Sequence, residues 1–335
     1  MTWRERSESS ASGLAIAEII SIEIGGVDQW LVIRGRDSSK PVLLFLHGGP
    51  GTPETALLEK FNQDLVDDFV VVCWEQRGAG KSFSPRPPAE SMTPEQLLED
   101  THELTRYLQH RFGKERILLL GHSWGTVLAM RSAAQHPVDY HAVVAVSQTS
   151  HAIHEQQIIH RWLRDRAADD ANKKALRRIE PIGGRLDEAL SLKDMSVLLS
   201  WVDHYGGGAF RGQKSFRRLA WTVAKSRVYT IREKIDYLRG ERFSLEHLYP
   251  EVSRLDLFRE IREVGVPVYF LHGRHDYQVP MAVAHDFYLH LEAPFKRFVV
   301  FDDAAHGVIY EDPAGFRKVM AEVSSKVARA KVWRR

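Results

Sequence analysis

Apolar residues in this chain fall into short unbroken runs, and polar stretches of helical period separate them. Val42–Leu46, Phe69–Trp74, Ile117–Leu120, Ala142–Val146, Val266–Leu271 and Phe298–Phe301 are such runs. Each is too short for a helix and reads as a strand buried on both faces. Earlier, Ile16–Ile24 and Val27–Ile33 flank Gly25-Gly26, the pattern of a hairpin. The intervening stretches place apolar residues on one helical face: Leu57, Leu58, Phe61 and Leu65 over Thr55–Asp68, and Leu97, Leu104, Leu108 and Phe112 further on. That second helix has clear punctuation. Thr93 can cap it, Pro94 suits its first position, Gln96 can complete a capping box, and Gly113 ends it. Further helices are expected over Thr126–Gln135, Met281–Leu291 and Pro313–Val327.

Strands alternating with helices imply an α/β architecture: a mostly parallel, eight-stranded sheet with helices on both faces, opened by the antiparallel hairpin. The alternation lapses between about Ser150 and Val264. Strand-like runs vanish there, Arg, Lys, His and Asp are frequent, and only a loop at Gly206-Gly207-Gly208 breaks the helical period. Residues 1–149 and 265–335 are therefore expected to form a core domain, and residues 150–264 a helical cap inserted before the last two strands. Right-handed crossovers bring the carboxyl ends of the parallel strands to one edge, where ligands bind.

Composition narrows the function without naming it. Apolar residues make up 44% and charged residues 27%, as in globular proteins, and the net charge is only +2. No overall field draws the chain to nucleic acid or a membrane surface. The opening MTWRERSESSASG and the patch that follows it lack the pattern of a signal peptide, and no run approaches a membrane span, so a cytoplasmic protein is expected. The single cysteine, Cys73, lies inside an apolar run and reads as a small buried side chain. Histidine is abundant, at 16 residues, but His151, His154 and His160 lack the companions of a zinc motif and read as solvated positions on a helix. No metal or other cofactor is expected.

The chemistry concentrates at LLLGHSWGTVLAM, residues 118–130. Gly121-His122-Ser123-Trp124-Gly125 fits G-x-S-x-G at a strand-to-helix junction. Such a turn forces the serine into strained dihedrals that lift its hydroxyl clear, and the flanking glycines let strand and helix approach closely. The following helix aims its N-terminus at the reacting centre. Ser123 is thus the expected nucleophile, with His122 incidental to the turn. A serine nucleophile needs a base and an acid, in the order Ser, acid, His along this kind of chain. Asp276 follows the run Val266–Leu271, and His306 follows Phe298–Phe301. They are the expected orienting acid and general base. Asp302 and Asp303 stand too near His306 to come from the preceding strand, and His272 and His275 break the order. The oxyanion is expected to be met by the N–H groups of Trp124 and of Gly49, in the loop His47-Gly48-Gly49-Pro50-Gly51. Pro50 has no N–H to offer.

With these motifs the chain resembles the α/β-hydrolase superfamily over nearly its whole length. HGGPG at 47–51, Glu75-Gln76-Arg77-Gly78-Ala79-Gly80-Lys81-Ser82 and the Ser-Trp-Gly of the elbow look like the proline iminopeptidase branch. That resemblance implies a cofactor-independent serine hydrolase with a helical cap, which removes an N-terminal residue, often proline, from short peptides. Glu75 stands where the branch has aspartate, and His122 where it commonly has glycine. Members of the branch hold the substrate ammonium with acidic cap residues; Glu155, Asp203 and Glu233 are the candidates here. The alternative is a carboxylester, lactone or amide hydrolase acting on a small apolar acyl group. Either way the expected partner is a small molecule or a short peptide.

Overall fold

The structure, a computed structural model, describes residues 5–9, 15–212 and 215–332. Nine strands form one sheet: β1 (Glu5–Ser9), β2 (Ile16–Ile24), β3 (Val27–Gly35), β4 (Val42–Leu46), β5 (Val70–Glu75), β6 (Ile117–His122), β7 (Tyr140–Val146), β8 (Val268–Gly273) and β9 (Lys296–Phe301). Their spatial order is β1-β2-β3-β5-β4-β6-β7-β8-β9. The pairs from β1 to β3, and β3 with β5, are antiparallel, and the rest are parallel. All eight strands expected from the apolar runs are present, and β1 adds a ninth at the edge.

The helices are α1 (Thr55–Phe61), α2 (Pro94–Phe112), α3 (Trp124–Gln135), α4 (Ala152–Asp169), α5 (Lys173–Ile179), α6 (Leu192–His204), α7 (Ser215–Lys225), α8 (Ile231–Val252), α9 (Leu257–Glu260), α10 (Met281–His290), α11 (Val308–Glu311) and α12 (Pro313–Val332). Side chains alternate across each strand, so a run that is apolar throughout feeds two cores. On β6, Ile117 and Leu119 join one cluster with α2, α3 and α10. Leu118 and Leu120 join the other, with α1 and α12.

Three local expectations are corrected. The helix read over Thr55–Asp68 ends at Phe61 and continues as a 3-10 turn over Gln63–Asp67. Asn62 breaks it, because its side-chain amide donates to the Ile309 carbonyl at 2.8 Å. Thr93 caps α2 through the Gln96 N–H, as expected, but the Gln96 side chain turns away to Asp100 at 3.0 Å instead of closing a capping box. His151 and His160 are not idle surface groups. His151 caps α4, and His160 is buried with Nε2 at 3.0 Å from the Ile179 carbonyl.

Between β7 and β8 the elements formed by the described residues are all helices, joined by turns and loops. Helices α4, α5 and α6 close on an apolar cluster of their own, with Leu163, Ile179 and Leu198 at its centre. Helices α7 and α8 pack elsewhere: Val223, Tyr229 and Tyr237 join one main core, and Phe243 and Leu248 the other.

A buried ion pair locks the hairpin side of the sheet. The Arg77 guanidinium grips Asp100 with Nε and Nη2, each at 2.8 Å, and Nη2 also reaches the Gly25 carbonyl. Gln29 and Gln96 complete the Asp100 carboxylate. Neither member of the pair meets solvent. Removing one partner would leave the other charged and unpaired in the core. Arg77→Ala is therefore expected to destabilise the fold by about 3–5 kcal/mol, read by urea unfolding of the variant against the parent.

Candidate active site

The strand order creates the site. The chain passes from β4 to β5 on one side and then returns to place β6 on the other side of β4. Beyond the carboxyl ends of β4 and β6, the two outgoing loops therefore face each other across a crevice. One loop is His47–Gly51 and the other is the elbow at Ser123.

The elbow has the strained form expected of it. Ser123 sits at φ 53, ψ −121, a left-handed setting that costs a non-glycine residue about 1–3 kcal/mol. The reason for the glycines is direct. A Cβ on Gly121 would lie 2.5 Å from the Gly125 carbonyl oxygen, and one on Gly125 would strike the carbonyl of Leu46 at the end of β4. Gly48 lies beside the serine: a Cβ there would come within 3.2 Å of the Ser123 Cβ. The N–H groups of Gly49 and Trp124 have no acceptor among the described residues.

Asp276 and His306 lie beyond β8 and β9, as the chain order required, and the fold joins them. His306 Nδ1 donates to Asp276 Oδ2 at 2.9 Å. The other carboxylate oxygen of Asp276 accepts the N–H groups of Gln278 and Val279, at 3.0 and 2.8 Å. His272 Nε2 stands 3.3 Å from Oδ2. Burial alone would raise the Asp276 pKa, but these donors and the two imidazoles hold it well below the usual carboxylate range. His306 is shifted down. Burial is the main cause, opposed by Asp276, and nearby His122 adds to the depression. Asp302 and Asp303 go elsewhere, to Arg274 and Arg211.

One loop of the helical segment braces these residues. The Gly207 carbonyl accepts the Tyr277 N–H at 3.1 Å, and the Gly208 carbonyl accepts the His306 N–H at 3.2 Å. The glycine run read as a plain loop thus holds both the Asp276 and the His306 loops. Tyr277 also stacks on Trp162 of α4, with ring centroids 3.9 Å apart.

The segment Glu75–Ser82 builds the floor. Gln76 donates from Nε2 to the His47 carbonyl at 2.9 Å and accepts from the Trp124 indole at 3.2 Å, tying the two facing loops together. The Glu75 carboxylate accepts from the Tyr229 hydroxyl at 2.6 Å, Thr55 at 3.2 Å and the Lys81 N–H at 2.6 Å. Burial raises its pKa despite those donors.

His47 and His122 are the groups whose part the sequence did not disclose. Both are buried. His47 Nδ1 faces the Gly48 carbonyl at 2.9 Å, while its Nε2 accepts the Gln76 N–H at 3.1 Å. One nitrogen must therefore be bare, and His47 is neutral; burial pushes its pKa down to about 4. His122 differs. Its Nδ1 meets Glu54 Oε1 at 2.7 Å and its Nε2 meets the His306 carbonyl at 2.9 Å. The second position of the elbow is thus an anchoring point, not a neutral filler. The sequence signal that could have found it is a histidine at that position with an acid, Glu54, just after HGGPG.

The three acids considered as ammonium anchors are engaged. Glu155 accepts the N–H groups of Ser150 and His151, at 2.7 and 3.2 Å, and burial raises its pKa to about 7. Glu233 pairs with Lys81 at 2.6 Å, and Asp203 takes the Ser215 hydroxyl. Another carboxylate of the helical segment stands nearer the loops. Glu241 on α8 accepts from Thr52 Oγ1 at 3.1 Å, and burial raises its pKa. Metal-binding potential is confined, among the described residues, to His102, His136 and Asp139. They lie at the amino-terminal edge of the sheet, away from Ser123, and Arg106 and Gln109 already hold Asp139.

With this geometry in place, the comparisons with known proteins give the class. The sequence pattern of the alpha/beta hydrolase fold matches residues 41–313, and the chain belongs to that family. It is a hydrolase. The chain is 31% identical over 307 residues to a probable aminopeptidase, YbaC, of Bacillus subtilis, covering 92% of this chain and 96% of that protein. It is also 23% identical over 309 residues to a proline iminopeptidase of Saccharolobus solfataricus, covering 91% of each. Its fold is similar to that of the proline iminopeptidase of Mycobacterium smegmatis, with a TM-score of 0.67 at 21% identity over 93% of this chain and 99% of that one. No helix among the described residues is long and apolar enough to cross a membrane.

The close contact at the elbow leaves no room for a side chain. Gly125→Ala is expected to cost at least about 3 kcal/mol, because the Leu46 carbonyl belongs to a central strand and cannot yield. Urea denaturation of the variant, read by tryptophan fluorescence, measures it.

Proposed function

We propose that Ser123, His306 and Asp276 form a catalytic triad, that residues 150–264 act as its cap, and that the enzyme is an aminopeptidase of the proline iminopeptidase type. The observation that carries the triad is the 2.9 Å Asp276–His306 bond, with the His306 carbonyl held by His122, the neighbour of Ser123 in the left-handed elbow. With Nδ1 committed to Asp276, His306 presents Nε2 to the serine. Ser123 Oγ attacks the substrate carbonyl carbon and gives its proton to Nε2. The oxyanion forms against the N–H groups of Gly49 and Trp124, placed there before reaction. His306 then returns the proton to the leaving amine as the carbonyl–nitrogen bond breaks. Water repeats the sequence on the acyl-enzyme and releases the free amino acid.

Names of similar proteins support the aminopeptidase reading, and so does one side chain. An exopeptidase of this kind must meet the substrate's ammonium group with charge. Glu241 is a largely buried carboxylate with no cationic partner among the described residues, and it reaches the residue that follows HGGPG. Ammonium binding there would offset its desolvation. We assign Glu241 that role in place of Glu155, Asp203 and Glu233.

Ser123→Ala is expected to abolish both turnover and labelling by a fluorophosphonate, with folding intact. Asp276→Asn should lower kcat on the order of 10⁴-fold through the wrong histidine tautomer; activity near that of the parent would move the acid role elsewhere. Prolyl and alanyl arylamides, compared with their N-acetylated forms, test the substrate class. The free amines should be cleaved and the acetylated forms spared. Glu241→Gln should raise KM for the free amines about tenfold or more, roughly 1.4 kcal/mol, and leave fluorophosphonate labelling unchanged. Equal cleavage of acetylated substrates, or turnover of short acyl esters alone, would favour a carboxylester, lactone or amide hydrolase instead.

A further inference from the structure

A second histidine–carboxylate pair lies beside the first. Glu54, just before α1, and His122, at the end of β6, are both buried. Glu54 Oε1 stands 2.7 Å from His122 Nδ1, and its Oε2 accepts the Gly48 N–H at 3.1 Å. His122 Nε2 faces the main-chain carbonyl of His306 at 2.9 Å, and the rings of His122 and His306 are 4.8 Å apart. The same carbonyl accepts from Ser147 Oγ at 3.0 Å, and Ser147 adopts φ 52 at the end of β7.

The His306 carbonyl can only accept, so His122 Nε2 carries a proton, and one further proton lies between Nδ1 and Glu54. Glu54 also accepts the Gly48 N–H, which favours its ionised form and puts that proton on His122. His122 is thus an imidazolium, and Glu54 its carboxylate. From this geometry we propose that the Glu54–His122 pair is a positioning device for the His306 base: it anchors the His306 main chain, sets the Gly48 side of the facing loop, and keeps the His306 ring neutral and ready to accept a proton. The inference rests on the reading of His306 as the general base.

The electrostatics agree in direction. Burial opposes a charged His122, but Glu54, with the His306 carbonyl, overcomes it and raises the His122 pKa. Burial likewise opposes a charged Glu54, and His122 with the Gly48 N–H lowers its pKa. The groups around the two imidazoles are Glu54 and neutral His47 before α1, Asp276 beyond β8 and Tyr310 on α11; His272 in β8, Glu155 on α4 and Glu311 on α11 act on Asp276. Asp276 attracts a proton to His306; the nearer end of the second pair, His122, repels it. Without the pair, His306 would hold its proton to higher pH.

Nitrogen-15 NMR of the histidines tests the proposal without a substrate. In the parent protein at pH 8, His122 should show both ring nitrogens protonated; a neutral tautomer there would overturn the assignment before any variant is made. In His122→Gln, and separately in Glu54→Gln, the His306 pKa should rise by about half a unit to one unit. The double variant should move it no further than either single one, because removing either partner discharges the other. An unmoved His306 pKa in the folded variants would leave the pair a purely structural contact and sink the proposal. The rate of fluorophosphonate labelling against pH separates this from the triad reading. Its acid limb should move up with the His306 pKa, whereas a parent protein that never labels at Ser123 refutes the triad itself, whatever the NMR gives.

Discussion

The site depends on the approach of one strand to one turn. The Leu46 carbonyl, at the end of β4, lies where any side chain at Gly125 would have to go. That contact brings the elbow after β6 against the loop after β4, and it is possible only because the two strands are neighbours at the point where the sheet order reverses. With it go the left-handed setting of Ser123 and the approach of Gly48 to the serine. The strain at Ser123 persists because the sheet on both sides over-determines it.

Around that contact several buried polar groups are held by specific partners. Gln76 bridges His47 and the Trp124 indole, Arg77 is clamped by Asp100, and Glu75 collects a phenol, an alcohol and an amide N–H. Burying such groups unpaired would cost about 1–3 kcal/mol each, more for those that are charged. The segment Glu75–Ser82 is therefore scaffolding that holds two loops in register. His47 and His122 illustrate the rule most plainly. They are the same residue type in the same interior, yet one accepts a main-chain N–H while the other lies between a carboxylate and a carbonyl.

The helical segment is bonded to the loops of the site. Helices α4 to α6 have an apolar cluster of their own, whereas α7 and α8 share the main cores. Between them, the carbonyls of Gly207 and Gly208 hold the loops that carry Asp276 and His306. On the far side Tyr229 of the segment reaches Glu75, and Glu233 reaches Lys81. The Glu75–Ser82 floor and the Asp276–His306 pair are thus tied to the same stretch of chain.

Periodicity and local motifs were enough for the strands, the hairpin, the helices between β7 and β8 and the elbow at Ser123. Each is written in local composition: unbroken apolar runs, a Gly-Gly turn, glycines at fixed offsets from a serine. The edge strand Glu5–Ser9 escaped notice because ERSES carries no apolar signal. Tertiary structure alone decided the break of α1 at Asn62, the satisfaction of Glu155, Asp203 and Glu233, the place of Glu241 beside Thr52, and the charged state of His122. The reason is physical. An apolar side chain needs only to be buried, and its spacing along the chain reports that need. A polar side chain needs a particular donor or acceptor at about 3 Å, and that partner can stand anywhere in the sequence, as Glu54 does for His122.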